Sequence, residues 1–330
     1  MAMYDLSDDG SGPKRVAPVP SRRSPAFPEP EGVAGWCSGA GCTKIRQEGA
    51  RCLGARGRIV KPSESKVILI TGASSGIGQA CADELASRGH RVFGTSRNPP
   101  GKKGAVEILS MDVTDESSVR EAVRRVTAEA GRLDVIVNNA GFGVAGAVEE
   151  TSVEEAKLQF ETNFFGVLRV CRAALPVLRR QGSGLIVNIS SIGGVIGLPF
   201  EGLYSASKFA LEGMSEALRH EVRQFGIGVV LVEPGDFKSR FASNRILTKE
   251  SVENSPYGAS RKAVFGVMAH DEENAPDARG VALLVSRIVE SRSPALRYPV
   301  GLFLQRLAVG LKRILPGWAF ERIIRSAYKL

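Results

Sequence analysis

The sequence predicts an α/β fold: a single doubly wound domain with a parallel sheet, preceded by a disordered N-terminal extension and followed by an amphipathic helical tail. Three observations predict this class. From Lys66 onward, short β-branched runs alternate with helical stretches. The runs are continuously apolar, as in a parallel sheet whose strands are buried on both faces. The composition, 43% hydrophobic and 24% charged residues over 330 positions, is that of a globular protein and excludes a fibrous or fully disordered chain.

Residues 1–62 are predicted to be a disordered extension. Seven of the 17 prolines and nine of the 37 glycines lie there, and no apolar periodicity persists. Such a segment buries too little surface to offset its ordering entropy. Cys37, Cys42 and Cys52 lie in it with irregular spacing and no histidine among them. We therefore expect unligated thiols and predict no metal site.

Compartment signals favour the cytoplasm. Asp5, Asp8 and Asp9 occupy the N-terminus where a secretory signal would be basic, and no apolar segment follows them. Five cysteines are too few for a disulfide framework, and no window reaches the ~18 apolar residues of a membrane-spanning helix. The net charge of +9 suits anionic partners, which include a phosphorylated cofactor, nucleic acid and acidic lipid.

The domain predicted over 63–300 consists of alternating strands and helices. The predicted strands are 67–70, 91–95, 106–109, 135–137, 185–189, 229–232 and 295–299. Amphipathic helices are predicted over 77–88, 116–130, 153–180 and 204–225. Before the last strand, the polar segment 236–275 is predicted to form a mobile flap over a substrate.

A glycine-rich turn follows the first strand. Residues 71–78 read T-G-A-S-S-G-I-G, and a helix begins directly after them. Glycines in this context let backbone N–H groups approach a pyrophosphate at the helix N-terminus, where the helix dipole also favours negative charge. The spacing by itself supports only nucleotide binding. The cofactor residues predicted here are Gly72, Ser74, Ser75, Gly76, Ile77 and Gly78.

The second strand ends at Ser96 and Arg97, where a dinucleotide-binding fold often places an acid that binds the ribose 2′-hydroxyl. No acid is present. A guanidinium group forms charge-assisted, bidentate hydrogen bonds with phosphate, so Arg97 with Ser74, Ser75 and Ser96 suits a 2′-phosphate. NADP(H) is therefore the preferred cofactor. NAD(H) is the alternative, with Arg97 as a solvated surface residue.

Tyr204 and Lys208 stand four residues apart at the start of an alanine-rich helical stretch, so their side chains share one helix face. A tyrosine with a pKa near 10 is a poor proton shuttle at neutral pH, but a nearby cation favours the phenolate. A tyrosine and a lysine at this spacing are common in proteins, so the spacing alone does not indicate a catalytic pair. Because Ser191 lies at the end of a predicted strand, thirteen residues before Tyr204, a catalytic interpretation is favoured.

As a set, these motifs resemble the classical short-chain dehydrogenase/reductase family over residues 66–300. The set comprises, in the expected order, Thr71–Gly78, Asp112-Val113, Asn138-Asn139-Ala140-Gly141, Asn163, Ser190-Ser191, Tyr204-x-x-x-Lys208 and Pro234-Gly235. Gly197–Phe200 with Tyr204–Gly213 is similar to hydroxysteroid and retinol dehydrogenases of the family and to bacterial members of unassigned substrate. The resemblance implies a Rossmann-type fold and reactions that interconvert C=O and CH–OH groups with NAD(P).

The resemblance also implies residue roles. Tyr204 would donate a proton to a carbonyl oxygen or accept it in the reverse reaction, and Lys208 would lower the pKa of Tyr204 and bind the nicotinamide ribose. Ser191 would hydrogen-bond the reacting oxygen, and Asn163 would hold a water that links Lys208 to solvent. Further cofactor contacts are implied for Asp112, Val113, Asn138, Ala140, Gly141, Pro234, Gly235, Phe237 and Ser239. Asn138 and Asn163 have a structural alternative, in which they only bond backbone groups.

The loops expected around the carbonyl group are nearly all apolar: 142–146, 192–200, Phe237 and Phe241. An apolar pocket with few polar anchors suits a hydrophobic ketone, aldehyde or alcohol. Ordinary packing around a small ketone is the alternative.

Residues 301–330 form a basic amphipathic tail. Many apolar residues are interleaved with one acid, Glu321, and with Arg306, Lys312, Arg313, Arg322, Arg325 and Lys329. Such a segment can lie on an anionic membrane surface. The alternative, which we favour slightly, is packing on the pocket or on a second subunit of a homo-oligomer.

We therefore predict an oxidoreductase. The alternative function is a catalytically silent regulator or scaffold that keeps the cofactor-binding fold. Such a protein has no chemical need for Asn163, Ser191, Tyr204 and Lys208 together. A nucleic-acid binder is not favoured, because the basic residues are scattered and aromatic residues make up only 6% of the chain.

Overall fold

The computed structural model describes residues 65–99, 102–238, 244–249 and 255–330. The predicted extension 1–62, with its three cysteines, lies outside the described residues. So do Ser239, a predicted cofactor residue, and Phe241, a predicted pocket residue.

The strands of the described residues form one large sheet and one small one. In chain order they are β1 (Val67–Ile70), β2 (Arg91–Ser96), β3 (Lys102–Lys103), β4 (Val106–Ser110), β5 (Val135–Asn138), β6 (Val144–Ala145), β7 (Gly184–Ile189), β8 (Ile227–Pro234), β9 (Ile246–Leu247) and β10 (Arg297–Val300). Strands β6 and β9 pair with each other, and the other eight form a sheet in the order β10-β8-β7-β5-β1-β2-β4-β3. Every neighbouring pair of the large sheet is parallel except β3 with β4.

Helices cover both faces of the large sheet. They are α1 (Gly76–Ser87), α2 (Glu116–Ala130), α3 (Val153–Phe160), α4 (Gly166–Gln181), α5 (Gly202–Val222), α6 (Gly258–Glu273), α7 (Arg279–Glu290), α8 (Phe303–Ile314) and α9 (Gly317–Ala327). Helices α2, α4 and α5 share one hydrophobic core with the sheet, and α1 and α7 share a second. In β1, Val67 and Leu69 join the first core while Ile68 and Ile70 join the second, which is why the strand is apolar throughout.

The topology determines where loops meet. From β1 the chain moves outward through β2 to β4, and it then returns to β5 on the other side of β1 and continues through β7 and β8 to β10. In open α/β sheets, ligands bind beyond the carboxyl ends of the strands at such a reversal. The loops that follow β1, β5, β7 and β8 all carry predicted site residues, in the ranges 71–78, 138–142, 190–200 and 234–238.

The doubly wound class and the seven predicted strands are confirmed. The predicted helix 153–180 is divided, because Glu161–Phe165 form a π-helical turn between α3 and α4. The polar segment 236–275 contains helix α6, which its weak periodicity did not indicate. The tail consists of two helices that are separated at Pro316, since proline cannot continue the hydrogen bonds of α8. Over the part of the chain that the structure describes, no helix is both long and apolar enough to cross a membrane.

Candidate active site

The glycine-rich turn is held against the loop that follows β5. Gly72 has a φ of +66°, a conformation that favours glycine. A Cβ atom on Gly78 would lie 2.4 Å from the carbonyl oxygen of Gly72. Asn139 Nδ2 donates hydrogen bonds to the carbonyl oxygens of Thr71 (2.9 Å) and Gly72 (3.1 Å). Close backbone approach and these two bonds together define the path of the turn.

A cleft of about 1430 Å³ opens at the carboxyl edge of the sheet. This exceeds the roughly 300–1,000 Å³ of a pocket for one small ligand, so there is room for a dinucleotide and a second molecule. The predicted cofactor residues that line the cleft are Gly72, Ser74, Ser75, Gly76, Ile77, Ser96, Arg97, Asp112, Val113, Ala140, Gly141, Pro234, Gly235 and Phe237. The predicted catalytic residues that line it are Ser191, Tyr204 and Lys208.

The glycine end of the cleft fits a dinucleotide. Helix α1 begins at Gly76, so its N-terminus faces the cleft, and the N–H groups of a first helical turn attract phosphate. Arg97 is exposed and forms no ion pair with any carboxylate of the described residues, which leaves its guanidinium available to a phosphate. Asp112 Oδ1 accepts hydrogen bonds from Thr114 N–H (2.9 Å) and Thr114 Oγ1 (2.8 Å), which fix this carboxylate at the cleft wall.

Two predicted cofactor residues, Gly78 and Asn138, lie behind the cleft wall. Asn138 is 2% exposed and its Nδ2 donates to Asn188 Oδ1 at 2.8 Å, while Asn188 Nδ2 donates to Ser215 Oγ at 2.8 Å. Successive residues of a strand point to opposite faces, so Asn138 points into the core and Asn139 toward the glycine turn. The geometry therefore does not support a cofactor contact of Asn138. Its side chain bonds another side chain rather than the backbone groups expected from the sequence.

Asn163 also lies behind the cleft wall, in the π-helical turn. It is fully buried, its Oδ1 accepts from the backbone N–H of Phe142 (3.1 Å), and its Nδ2 donates to the carbonyl oxygen of Phe142 (3.0 Å) and to Ser207 Oγ (3.2 Å). Extra residues in a helical turn occur often at functional sites. Here the turn places an amide that holds the loop after β5 against helix α5.

Tyr204, Ser191 and Lys208 meet in the cleft. Tyr204 and Lys208 lie one turn apart on α5, and the hydroxyl of Ser191 lies within reach of the phenol of Tyr204. Ser191 caps a 3₁₀ turn, where its Oγ accepts from the N–H of Gly193 at 3.0 Å. Lys208 Nζ donates to the carbonyl oxygen of Ile189 at 2.9 Å and lies 5.9 Å from the ring centroid of Tyr204. The geometry brings the three predicted groups together.

Burial shifts the pKa values of Tyr204 and Lys208. It raises the pKa of Tyr204 above the ordinary value, and the hydrogen bond from Ser191 opposes the shift only in part. Burial also lowers the pKa of Lys208 to about 8, against the opposing charge of Glu212. The charge of Lys208 is not among the causes of the Tyr204 shift, so a lowering of the Tyr204 pKa by Lys208 stays a prediction. The phenol is held as a neutral acid, since desolvation disfavours its ionised form.

A charged group beside Tyr204 has no signal in the sequence. Glu201 is 4% exposed and forms an ion pair with Arg245 at 2.8 Å, and Arg245 also pairs with Glu272. All three residues line the cleft. Burial raises the pKa of Glu201, and Arg245 opposes this shift. No motif connects the three residues, which lie far apart in the chain, so only the fold reveals the cluster.

Part of the cleft wall is apolar. The loop after β7 and the two tail helices contribute Ile192, Ile196, Leu198, Leu304, Leu307, Leu311, Ile323 and Ile324. Val309 of α8 and Phe320 of α9 are buried in one small core with Ile196. Lys312 Nζ donates to the carbonyl oxygen of Val195 at 2.5 Å. The tail thus packs on the pocket, in agreement with the interpretation favoured from the sequence.

Comparison with known proteins agrees with this architecture. Residues 66–250 match the short chain dehydrogenase family. The chain is 44% identical over 267 residues to 3-ketodihydrosphingosine reductase of Bacteroides thetaiotaomicron, covering 81% of this chain and 99% of that protein. It is 34% identical over 255 residues to human 17-beta-hydroxysteroid dehydrogenase type 1, covering 70% of this chain and 76% of that protein. A short-chain dehydrogenase structure from Streptomyces avermitilis matches with a TM-score of 0.66 and 35% identity, covering 80% of this chain and 99% of that one.

The chain belongs to the short-chain dehydrogenase/reductase family, whose members are oxidoreductases that act on CH–OH groups. Among solved structures of the same fold, one is a complex with NAD and another is a complex with NADP. The family prediction made from the motifs is confirmed.

Proposed function

We propose that the chain is an NADP(H)-dependent oxidoreductase that interconverts a hydrophobic ketone or aldehyde with its alcohol, with Tyr204 as the proton donor and acceptor. The observation that carries the proposal is the convergence of Ser191, Tyr204 and Lys208 on one part of the cleft, with Lys208 Nζ 5.9 Å from the ring centroid of Tyr204. These three residues lie in a cleft that is also lined by part of the glycine turn and by an apolar wall. A cofactor, an acid and an apolar substrate can therefore meet in one place.

The cofactor would be held by residues of three loops. The turn 71–78 would bind the diphosphate, Ser96 and Arg97 the phosphorylated ribose, and Pro234, Gly235 and Phe237 the nicotinamide. When bound, NADP(H) supplies or accepts the hydride at the carbonyl carbon. The availability of Arg97 to a phosphate group is what favours NADP(H) over NAD(H).

The side chains of the cleft manage the proton. In the reductive direction the neutral phenol of Tyr204 gives its proton to the carbonyl oxygen, which the hydroxyl of Ser191 also binds and polarises. The ammonium group of Lys208, fixed by its bond to Ile189, then stabilises the phenolate. In the oxidative direction the phenolate of Tyr204 takes the proton from the alcohol. Asn163 and Phe142 act as positioning residues behind these groups.

Two observations support a hydrophobic substrate. Apolar side chains of α8, α9 and the loop after β7 form much of the cleft wall. The similar proteins named above act, by their names, on a long-chain keto base and on a steroid, both of which are lipid-like. The carboxylates of Glu201 and Glu272, with the guanidinium of Arg245, give the cleft a polar part as well.

A substrate panel tests the proposal. Purified protein is mixed with NADPH or NADH and with 3-ketodihydrosphingosine, steroid ketones, long-chain ketones and aldehydes, and short water-soluble ketones. Coenzyme oxidation is followed by absorbance. We expect the highest kcat/KM for a lipid-like carbonyl compound with NADPH. Faster reduction of short ketones than of all lipid-like compounds, or no coenzyme oxidation with any of them, would overturn the proposal.

A further inference from the structure

Of the large apolar side chains in the described residues, the most exposed ones lie on the tail helices. Among large hydrophobic side chains, the four with the greatest exposed fraction are Ile314 (80%), Leu304 (74%), Phe303 (73%) and Trp318 (73%). All four lie on α8 or α9. Exposed apolar groups that cluster in this way mark a contact surface more often than scattered ones do.

The exposed residues follow the period of helix α8. Phe303, Leu307 and Ile314 are spaced by four and seven residues and therefore lie on one helix face. The buried side chain of Val309 lies away from that face. Arg306 and Arg313, also seven residues apart, are exposed along its border. An apolar stripe bordered by arginines is the pattern of a helix that lies in the plane of a membrane interface.

The positive charge of the tail favours an anionic bilayer over a second copy of the chain as the partner of this face. Residues 301–330 carry six basic side chains and one acidic one, and of the six only Lys312 donates to a carbonyl group of the packed loop. A second copy docked on the same face would bring the two sets of cations together, because a two-fold interface pairs each surface with itself. An anionic bilayer offers both acyl chains for the apolar stripe and phosphate groups for the arginines.

The exposed face continues into the cleft. Leu304, Leu307 and Ile323 are 74%, 43% and 40% exposed, and the same three residues line the cleft. The apolar wall of the cleft and the apolar surface of the tail are therefore one continuous surface. A molecule that leaves a bilayer at this face would reach Tyr204 along apolar side chains.

We propose that α8 and α9 form a docking face for an anionic lipid bilayer, and that apolar substrate enters the cleft from the bilayer across Leu304, Leu307 and Ile323. The second part rests on the proposed function. The docking itself does not, because it depends only on the exposed side chains and charges of the tail.

Vesicle sedimentation tests the docking. Full-length protein is sedimented with vesicles of phosphatidylcholine alone and with vesicles that contain phosphatidylserine, at low salt and at about 0.5 M NaCl, where surface charges are screened within a few ångströms. We expect binding to the anionic vesicles at low salt and weaker binding in the other conditions. No binding to anionic vesicles at low salt would overturn the proposal.

Matched variants separate the apolar and basic contributions. The double substitutions Phe303→Ser with Ile314→Ser, and Arg306→Gln with Arg313→Gln, should each weaken vesicle binding about tenfold or more. Leu247→Ser and Arg292→Gln, at exposed positions outside the tail, should leave it unchanged. None of these six residues lines the cleft, so reduction of a water-soluble ketone should persist in all variants.

Two results would contradict the docking proposal in different ways. Equal vesicle binding by the tail variants and the control variants would show that the face is not used. A change from dimer to monomer in the tail variants by analytical ultracentrifugation, without loss of vesicle binding, would show that a second copy covers it. A protein that binds vesicles but reduces no carbonyl compound would contradict the proposed function and leave the docking intact.

Discussion

At Lys208 the proposed reaction requires a buried ammonium group, and burying that group lowers the stability of the folded protein. The side chain is 6% exposed, and burial lowers its pKa to about 8. An unfolded chain would hold this proton up to the ordinary lysine pKa of about 10.4. The folded state therefore bears the cost of a buried ammonium group at neutral pH, and only the carbonyl of Ile189 and the charge of Glu212 offset part of it.

Substituting Lys208→Met should raise stability while it removes turnover. Methionine of similar length carries no charge, so we expect the free energy of unfolding at pH 7 to rise by about 2 kcal/mol. The wild type binds fewer protons folded than unfolded between about pH 8 and 10.4, so its stability should rise with pH there and approach that of the variant. Urea unfolding at pH 7 and pH 10 checks this.

The control for Lys208→Met is Lys157→Met at an exposed position of α3, which should change stability little at either pH. A Lys208→Met protein that is less stable than the wild type at both pH values would show that the ammonium group contributes to folding. The test depends on how the difference in unfolding free energy between the variant and the wild type changes from pH 7 to pH 10, and not on the stability at one pH.

Arg97 is the residue on which the coenzyme preference depends. Replacing it by aspartate removes charge-assisted bonds to a 2′-phosphate and offers an acceptor to a ribose 2′-hydroxyl. The ratio of kcat/KM for NADPH over NADH should fall by about 10- to 100-fold, the range expected for one lost charge-assisted contact. Steady-state rates with both coenzymes measure it. A wild-type protein that uses NADH as efficiently as NADPH would refute the preference.

Among the elements, the glycine turn that leads into α1 leaves no room for a side chain at Gly78. A Cβ on Gly78 would lie 2.4 Å from both Gly72 O and Asn139 Nδ2, so Gly78→Ala must displace backbone. We expect a loss of about 2 kcal/mol of stability and weaker coenzyme binding. Gly213→Ala on α5 is the matched control, because nothing lies within 4 Å of its Cβ position and alanine should stabilise the helix by up to about 1 kcal/mol.

Thermal unfolding and coenzyme titration compare the two glycine variants. Similar stability of Gly78→Ala and Gly213→Ala would show that the turn is more adaptable than its contacts indicate. If a destabilised Gly78→Ala protein kept its coenzyme affinity, the exact path of the turn would not be required for coenzyme binding.

Elements with strong local signals could be predicted, and those formed by distant contacts could not. All four residues of the run Val67–Ile70 are apolar because both faces of β1 are buried. The sequence therefore predicts this strand directly. The π-helical turn at Glu161–Phe165 has no such local signal. Its position is tied to a contact distant in the chain, the hydrogen bond from the backbone N–H of Phe142 to Asn163 Oδ1. Helix α6 has weak amphipathic character and two buried residues, Val264 and Met268, so periodicity did not reveal it.

The candidate site shows the same division. Gly72, Tyr204 and Lys208 belong to spaced motifs that can be read in order. The pairing of Glu201 with Arg245 depends on how the loop after β8 returns to the cleft, which no local pattern encodes. The faces of Asn138 and Asn139 follow from strand geometry once the end of β5 is known, and the sequence alone left that open.

For the whole molecule, the described sheet and the candidate site are built from the chain after Lys66. Every strand of the described sheet and every cleft residue lies there. Deleting residues 1–60 should therefore leave the melting temperature and coenzyme binding nearly unchanged. Deleting residues 1–70, which also removes β1 from the centre of the sheet, should abolish folding. Circular dichroism melts of both truncated chains check this, and unfolding of the first would show that the extension is required.

In the proposed reaction, NADPH bound in the cleft transfers a hydride to a carbonyl carbon while Tyr204 protonates the oxygen. Mass spectrometry of the alcohol formed from NADPH deuterated at the transferred position and the best carbonyl substrate of the panel tests this reaction. We expect one deuterium per product molecule with the wild type. With Tyr204→Phe we expect almost no product but coenzyme affinity within a few-fold, because the change removes the proton donor and little else. An alcohol without deuterium, or a Tyr204→Phe protein that keeps more than a few per cent of the rate, would contradict the proposed reaction.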